Sequence, residues 1–224
     1  MKGKMGDAAF GLLFIGGDGP ARETIEPLLV CDPRIIAADS GFDLARALGL
    51  TPELLVGDMD SVQDSPALRA FPPERIRRYP PDKDETDTEL GLRLFRELGV
   101  RQVVLAGGGG GSLAHLLGIL ALFEREGRPQ AWYTAREHVQ AVERELILEG
   151  CRGQNISLFP LGERVRGMSS RGLKWPLDRL SWSRGDAGVS NLCVDDRVEI
   201  RVRDGMLLMV RTLRGGEDAG KNQT

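Results

Sequence analysis

Over its first 135 or so residues the chain alternates short apolar runs with helix-length amphipathic segments, and beyond about Val139 that alternation stops. Residues 11–15 (GLLFI), 34–38 (RIIAA), 54–56 (LLV), 75–79, 102–106 (QVVLA) and 131–134 read as strands. Residues 21–29, 42–48, 88–98 and the strongly apolar 113–123 read as helices, with Leu90, Leu94 and Leu98 on one face of the third. Strands separated by helices need crossover connections, which produce a mostly parallel sheet covered on both faces. In such sheets ligands sit outside the carboxyl ends of the strands. The polar clusters here follow strands, so they are expected along one rim.

Beyond that point residues 139–148, 155–161, 196–202 and 206–213 alternate or are short and apolar, separated by Gly, Asp and Asn turns. Asp204-Gly205 between the last two is a hairpin signal. The expected architecture is a mostly parallel, Rossmann-like α/β domain over 1–140 and a smaller all-β, sandwich-like domain over 145–213. The polar, Gly-containing residues from Gly215 to Thr224 read as a disordered tail.

The net charge of −3 disfavours general electrostatic binding of nucleic acid. Three cysteines at wide spacing (Cys31, Cys151, Cys193) make neither a disulfide framework nor a zinc motif, which points to a reducing, cytoplasmic compartment. No run approaches the roughly 18 apolar residues that span a bilayer, so no membrane partner is expected. The start, MKGKMGDAAFGLLFIGG, loosely resembles a signal peptide. Its apolar run, however, breaks into Gly16-Gly17-Asp18-Gly19-Pro20 without a small-residue cleavage site, and reads better as a buried strand entering a turn.

Acidic residues concentrate between Asp39 and Asp87. Gly57-Asp58-Met59-Asp60-Ser61 puts two carboxylates two residues apart just past a strand. Mg²⁺ takes oxygen ligands and shares them with substrate phosphates, so one or two carboxylates plus water is the protein's usual contribution. A solvated turn would look the same in isolation. The second cluster, residues 82–89 (DKDETDTE), contains a capping box in Thr86 and Glu89. That box leaves Asp84 and Asp87 unexplained. With Asp58 and Asp60 they repel unless a cation lies between them, and Lys83 supplies partial compensation or contacts a phosphate. The third cluster, Gly107 to Gly111, follows a strand and precedes the apolar helix. Its backbone amides can point at an anion, helped by the helix N-terminus, although a flexible connector has the same composition. No Lys-Ser/Thr follows, so it is not a Walker A loop.

In their order, these pieces resemble the thiamine pyrophosphokinase family over nearly the whole chain. The motifs are Ala38-Asp39-Ser40-Gly41, Gly57-Asp58-Met59-Asp60-Ser61, Lys83-Asp84-Glu85-Thr86-Asp87, the glycine run before His115, Gly172-Leu173-Lys174-Trp175-Pro176-Leu177 and Gly188-Val189-Ser190-Asn191. The resemblance implies transfer of a diphosphate from ATP to the hydroxyl of thiamine, with Mg²⁺, giving thiamine diphosphate and AMP. It implies catalytic roles for Asp58, Asp60, Asp84 and Asp87, of which Asp58, Asp60 and Asp87 would hold the metal. It also implies nucleotide contacts from Asp39, Lys83, Gly109, Gly110, Gly111, Ser112 and His115. Ser169, Trp175, Ser190 and Asn191 would build the thiamine pocket, where a cationic heteroaromatic ring suits an indole face; an ordinary core tryptophan is the other reading. The family further implies a homodimer whose active site joins the N-terminal domain of one subunit to the β domain of the other.

One segment departs from the family. Where the family has Gly-Gly-Arg-x-Asp-His followed by a helical Asn, this chain has Gly110-Gly111-Ser112-Leu113-Ala114-His115 and Ile119. The charged phosphate clamp and the aspartate are replaced by a hydroxyl and a methyl, and such losses cost orders of magnitude in rate. A related diphosphotransferase acting on another heteroaromatic alcohol, or a catalytically weak nucleotide- or thiamine-binding paralogue, are the alternatives. His115, among Leu116, Leu117 and Leu120, reads as a packed, hydrogen-bonded histidine; His138 carries no assigned role.

Overall fold

The computed structural model describes residues 10–213, so the lysine-containing start and the expected tail lie outside the described residues. The chain forms two compact units, Met1–Ala135 and Arg136–Thr224.

In the first unit six strands make an all-parallel array in the order β6-β5-β1-β2-β3-β4. They are β1 (Phe10–Phe14), β2 (Arg34–Ala38), β3 (Leu54–Gly57), β4 (Ile76–Arg78), β5 (Gln102–Ala106) and β6 (Ala131–Tyr133). The connections carry α1 (Arg22–Leu29), α2 (Gly41–Ala47), a single turn α3 (Pro66–Arg69), α4 (Asp87–Glu97) and α5 (Leu113–Leu122). Near-continuous burial of residues 11–15 and 103–106 is what a two-sided parallel sheet demands. Leu12, Phe14, Ile25, Phe42, Leu55 and Val104 are core members, with Phe42 and Phe71 meeting edge to face at 5.3 Å. The chain runs outward from β1 to β4 and then returns to β5 on the other side of β1. The β1/β5 boundary is therefore the switch point beside which open α/β sheets bind ligands.

The second unit is a β-sandwich. Along one sheet β11 (Ser181–Ser183) and β12 (Gly188–Leu192) both pair with the long β9 (Asn155–Arg166); β14 (Asp204–Thr212) pairs with β9 and with β7 (Glu137–Val142). The other sheet is β10 (Ser169–Arg171), β13 (Val198–Arg201) and β8 (Glu145–Leu148). Inward residues of both, among them Val142, Leu146, Leu158, Ile200 and Met209, share one core.

The Asp204-Gly205 hairpin does not form. β13 pairs with β8 and β10, whereas β14 pairs with β7 and β9, so the two strands belong to different sheets. Gly205 (φ +82°) serves a close approach instead: a Cβ there would lie 2.3 Å from the Arg164 carbonyl oxygen. The run 139–148 likewise divides at Glu143-Arg144, sending β7 and β8 to opposite sheets. The short strands β10, β11 and β12 carry no apolar alternation and so leave no strand signature in the sequence.

Candidate active site

The carboxyl ends of β2 and β3 and the start of α4 meet at three aspartates. One oxygen each from Asp39, Asp58 and Asp87 lies within 4.8 Å of the others, all three residues being partly buried. Asp39 follows β2 directly, its amide donating to the Val56 carbonyl at 2.8 Å. Asp58 follows β3. Asp87 opens α4, where the expected capping box forms: the Thr86 amide donates to Glu89 Oε2 at 2.8 Å and the Glu89 amide to Thr86 Oγ1 at 3.3 Å.

Gly57 lets these groups converge. Its φ is +142°, and a Cβ there would stand 3.1 Å from Asp87 Oδ1 and 3.3 Å from Asp39 Cβ. Asp39 (φ +47°) and Met59 (φ +71°) hold left-handed backbone conformations on either side of the cluster. Such residues cost about 1 kcal/mol or more each and concentrate at functional sites.

The electrostatics are those of a cation site. Burial, the largest influence, raises the Asp39 carboxyl above its ordinary range; the Asp87 and Asp58 charges add to this, while Ser61 and Ser40 hydrogen bonds oppose it. Asp39 Oδ1 is buried with no hydrogen-bond partner. A buried carboxylate oxygen without a donor calls for a cation. Asp58 is held below the usual range, first by the Asp60 amide, which donates to Asp58 Oδ1 at 3.1 Å, then by the Asp60 side chain and by Lys83, against the opposing effect of burial. Lys83 Nζ lies 3.6 Å from Asp58 Oδ2 and 3.2 Å from Asp87 Oδ1. Burial alone would lower the Lys83 ammonium, but its bonds and attraction to Asp87 and Asp58 raise it. Three hard oxygens on partly buried carboxylates fit a Mg²⁺ ion, which keeps water and phosphate in its remaining positions.

The group of three is not the set Asp58, Asp60 and Asp87 expected for the metal. Asp60 and Asp84 are exposed and stand outside the group of three, while Asp39, expected as a nucleotide contact, stands inside it. Asp60 reaches the group chiefly through its backbone amide, with a side-chain bond to Asp58 besides, and its side chain accepts from Ser61 Oγ at 2.9 Å. The placement of Asp39 had a signal, since it follows a strand just as Asp58 does.

The glycine run is largely occupied by the protein itself. Gly107 donates to the Tyr133 carbonyl, Gly108 to Gly16 and Gly109 to Asp18, at 2.8–3.0 Å, and Asp18 returns a bond to Gly109 at 2.7 Å. Cβ atoms on Gly107, Gly109 and Gly110 would meet Ile15 O, Asp18 O and Asp18 Oδ2 at 2.0, 2.7 and 2.1 Å. These glycines therefore let the β1 and β5 loops touch. Among the described residues only the Gly110 and Gly111 amides of the run make no intramolecular hydrogen bond. Ile119, at the family's Asn position, is buried; a Cβ on Gly108 would lie 2.8 Å from its Cδ1. Ser112 caps α5 by accepting from the His115 amide at 3.3 Å. His115 is exposed and not packed, because α5 turns Leu113 and Leu117 outward beside it and buries Ile119 and Leu122 instead.

In the β-sandwich, Asn191 is buried and its side chain brackets the Trp175 backbone: Nδ2 donates to the Trp175 carbonyl at 2.7 Å and Oδ1 accepts from its amide at 3.2 Å. Ser170 Oγ accepts from Leu177 at 2.9 Å, tying down the other end of the same loop. Trp175 is 54% exposed, so it is not a core residue, and Lys174 Nζ lies 4.7 Å from its ring centroid. Ser190 sits at a bulge in β12 with φ +57°, its amide donating to Ser157 Oγ at 3.1 Å. Ser169 opens β10 opposite Arg201.

Comparison with known proteins identifies related chains. Residues 26–131 match the catalytic domain of thiamin pyrophosphokinase, and residues 142–207 match its vitamin B1 binding domain. The thiamine pyrophosphokinase of Bacillus subtilis is 25% identical over 186 residues, covering 79% of this chain and 86% of that protein. The crystal structure of a thiamine pyrophosphokinase from Bacillus subtilis superposes with a TM-score of 0.76 at 21% identity, covering 91% of this chain and 98% of that one. The yeast enzyme does so with 0.67 at 17%, covering 94% and 88%. The chain belongs to the thiamin pyrophosphokinase family, with that family's catalytic and vitamin B1 binding domains in order along it.

Proposed function

We propose that the protein transfers a diphosphate from ATP to the hydroxyl of thiamine, in the cytoplasm and as a homodimer. The thiamine oxygen attacks the β-phosphorus, the bond between that phosphorus and the α,β-bridging oxygen breaks, AMP departs and the hydroxyl proton is lost. The observation that carries this reading is the convergence of Asp39, Asp58 and Asp87 around an oxygen with no donor, with Lys83 beside them. Bound there, Mg²⁺ would draw charge from the transferring phosphates. Asp39, Asp58 and Asp87 would hold it, the Asp60 amide would orient Asp58, and Lys83 would turn from the carboxylates to a phosphate oxygen. Asp84 stays at the exposed margin. Gly110, Gly111 and Ser112 would offer donors to the nucleotide, with His115 nearby in the same turn. Trp175 would present its indole face to the cationic ring, held by Asn191, with Ser169 and Ser190 as polar partners. In the dimer the acidic rim of one subunit would work with the Trp175 loop of the other.

The test is incubation with MgATP and thiamine, following AMP and thiamine diphosphate by chromatography, beside a Ser112→Arg/Ala114→Asp double mutant. Steady formation of both products supports the reading, and absence of turnover in both proteins overturns it. A binding paralogue is favoured by one observation, that Gly107, Gly108 and Gly109 spend their amides internally. Tight nucleotide or thiamine binding without wild-type turnover, and turnover gained in the double mutant, would select that second reading. Faster AMP formation with another heteroaromatic alcohol than with thiamine would select a related diphosphotransferase.

A further inference from the structure

The segment between β4 and α4 delivers Lys83 and Asp87 to the site, yet little of it is anchored by burial. Pro80, Pro81, Asp82 and Asp84 are exposed, and the segment contributes no apolar side chain to the core. Something else must hold Lys83 between two carboxylates. One guanidinium touches both flanks of the segment. Arg93, on α4, places Nη1 2.8 Å from Glu85 Oε2, two residues after Lys83. Its Nη2 donates to the Tyr79 hydroxyl at 3.4 Å, and its guanidinium carbon lies 5.7 Å from the Tyr79 ring centroid, four residues before Lys83. Tyr79 is in turn fixed to the site, because its amide donates to the Gly57 carbonyl at 3.0 Å, immediately before Asp58.

We propose that Arg93 is a positioning residue, clamping residues 79–87 so that Lys83 stands between Asp58 and Asp87. The inference rests on the functional reading above for its catalytic consequence, but the clamp itself does not. A planar guanidinium can donate to a carboxylate and stack on a phenol ring at once; an ammonium cannot do both. With Glu85 and Tyr79 released, the segment would sample many conformations, and Lys83 would meet the phosphates only part of the time. That loss falls on nucleotide capture, so the Michaelis constant for MgATP should rise while that for thiamine stays put.

The experiment compares Arg93→Ala, Arg93→Lys, Lys83→Met and the Lys83→Met/Arg93→Ala double mutant, all as full chains. Amide hydrogen exchange over residues 79–87, without ligands, should quicken by about tenfold in Arg93→Ala and almost as much in Arg93→Lys. The KM for MgATP should rise by about tenfold in Arg93→Ala, a difference of about 1.4 kcal/mol. Adding Arg93→Ala to Lys83→Met should change KM little further, since both act through one ammonium. Unchanged exchange over 79–87 in Arg93→Ala overturns the clamp, as does full rescue by Arg93→Lys. Additive effects in the double mutant overturn the route through Lys83. If the wild type forms no product while exchange still quickens in Arg93→Ala, the clamp stands and the proposed reaction falls.

Discussion

Asn191 and Trp175 are joined through the two backbone polar groups of Trp175, which the Asn191 side chain pairs at 2.7 and 3.2 Å much as a neighbouring strand would. Asn191 is buried while Trp175 is exposed, so the amide acts as the fixed support of a presented ring. Asn191→Ala leaves both groups of Trp175 unpaired and should destabilise the fold by about 1–3 kcal/mol. It should also weaken thiamine binding by about tenfold, read as quenching of tryptophan fluorescence. Unchanged quenching would show that the ring holds its place without the amide.

The metal should depend on Asp39, Asp58 and Asp87 and only slightly on the Asp60 side chain. Asp39→Asn, Asp58→Asn and Asp87→Asn should each lower Mn²⁺ affinity by about tenfold or more. Asp60→Asn keeps the amide that donates to Asp58 and should change it by less than about threefold. Water-proton relaxation with Mn²⁺ measures this, and a large loss in Asp60→Asn would return Asp60 to the metal.

Gly57→Ala introduces a Cβ 3.1 Å from Asp87 Oδ1 at a φ of +142°. The strained backbone and the displaced carboxylate should together cost about 1–3 kcal/mol. Mn²⁺ affinity should fall with it. Urea unfolding and metal titration on the same variant separate the two effects.

His138 makes stability pH-dependent. It is buried opposite Arg211 in the β7–β14 register, and burial first, then the Arg211 charge, lowers its pKa from 6.5 to about 4. Well above pH 6.5 the imidazole is neutral in both states and adds no pH dependence. As the pH falls from 6.5 towards 4 the unfolded chain takes up a proton that the folded chain refuses, so stability is lost by about 3 kcal/mol across that window. His138→Gln should flatten that part of the denaturation-midpoint profile, and an equally steep profile would assign the loss to other groups.

Much of the first unit was legible because its determinants are local. Except for β4, each strand from β1 to β6 is a short, mostly apolar run, and α4 announces itself by Thr86, Glu89 and the Leu90-Leu94 face. The acidic motifs were legible as residues, and their positions after strands placed Asp39 and Asp58 on one rim. The Asp60 side chain stands outside the group of three, an arrangement hidden in the sequence because a two-residue spacing says nothing about which carboxylate turns inward. Which glycines of the run spend their amides internally was hidden, because a glycine that frees an amide for an anion and one that admits a neighbouring loop look identical in sequence.

The sequence by itself determined the order of elements, the change from α/β to β near residue 139 and the family, since periodicity and motif order are written along one chain. Tertiary structure alone decided that Asp39 joins Asp58 and Asp87, that Asp18 meets Gly109, that β13 and β14 part company at Asp204, and that Arg93 reaches back to Glu85 and Tyr79. Each of these is a contact between groups whose chain separation carries no period, fixed only when sheet order and loop packing bring their backbones together.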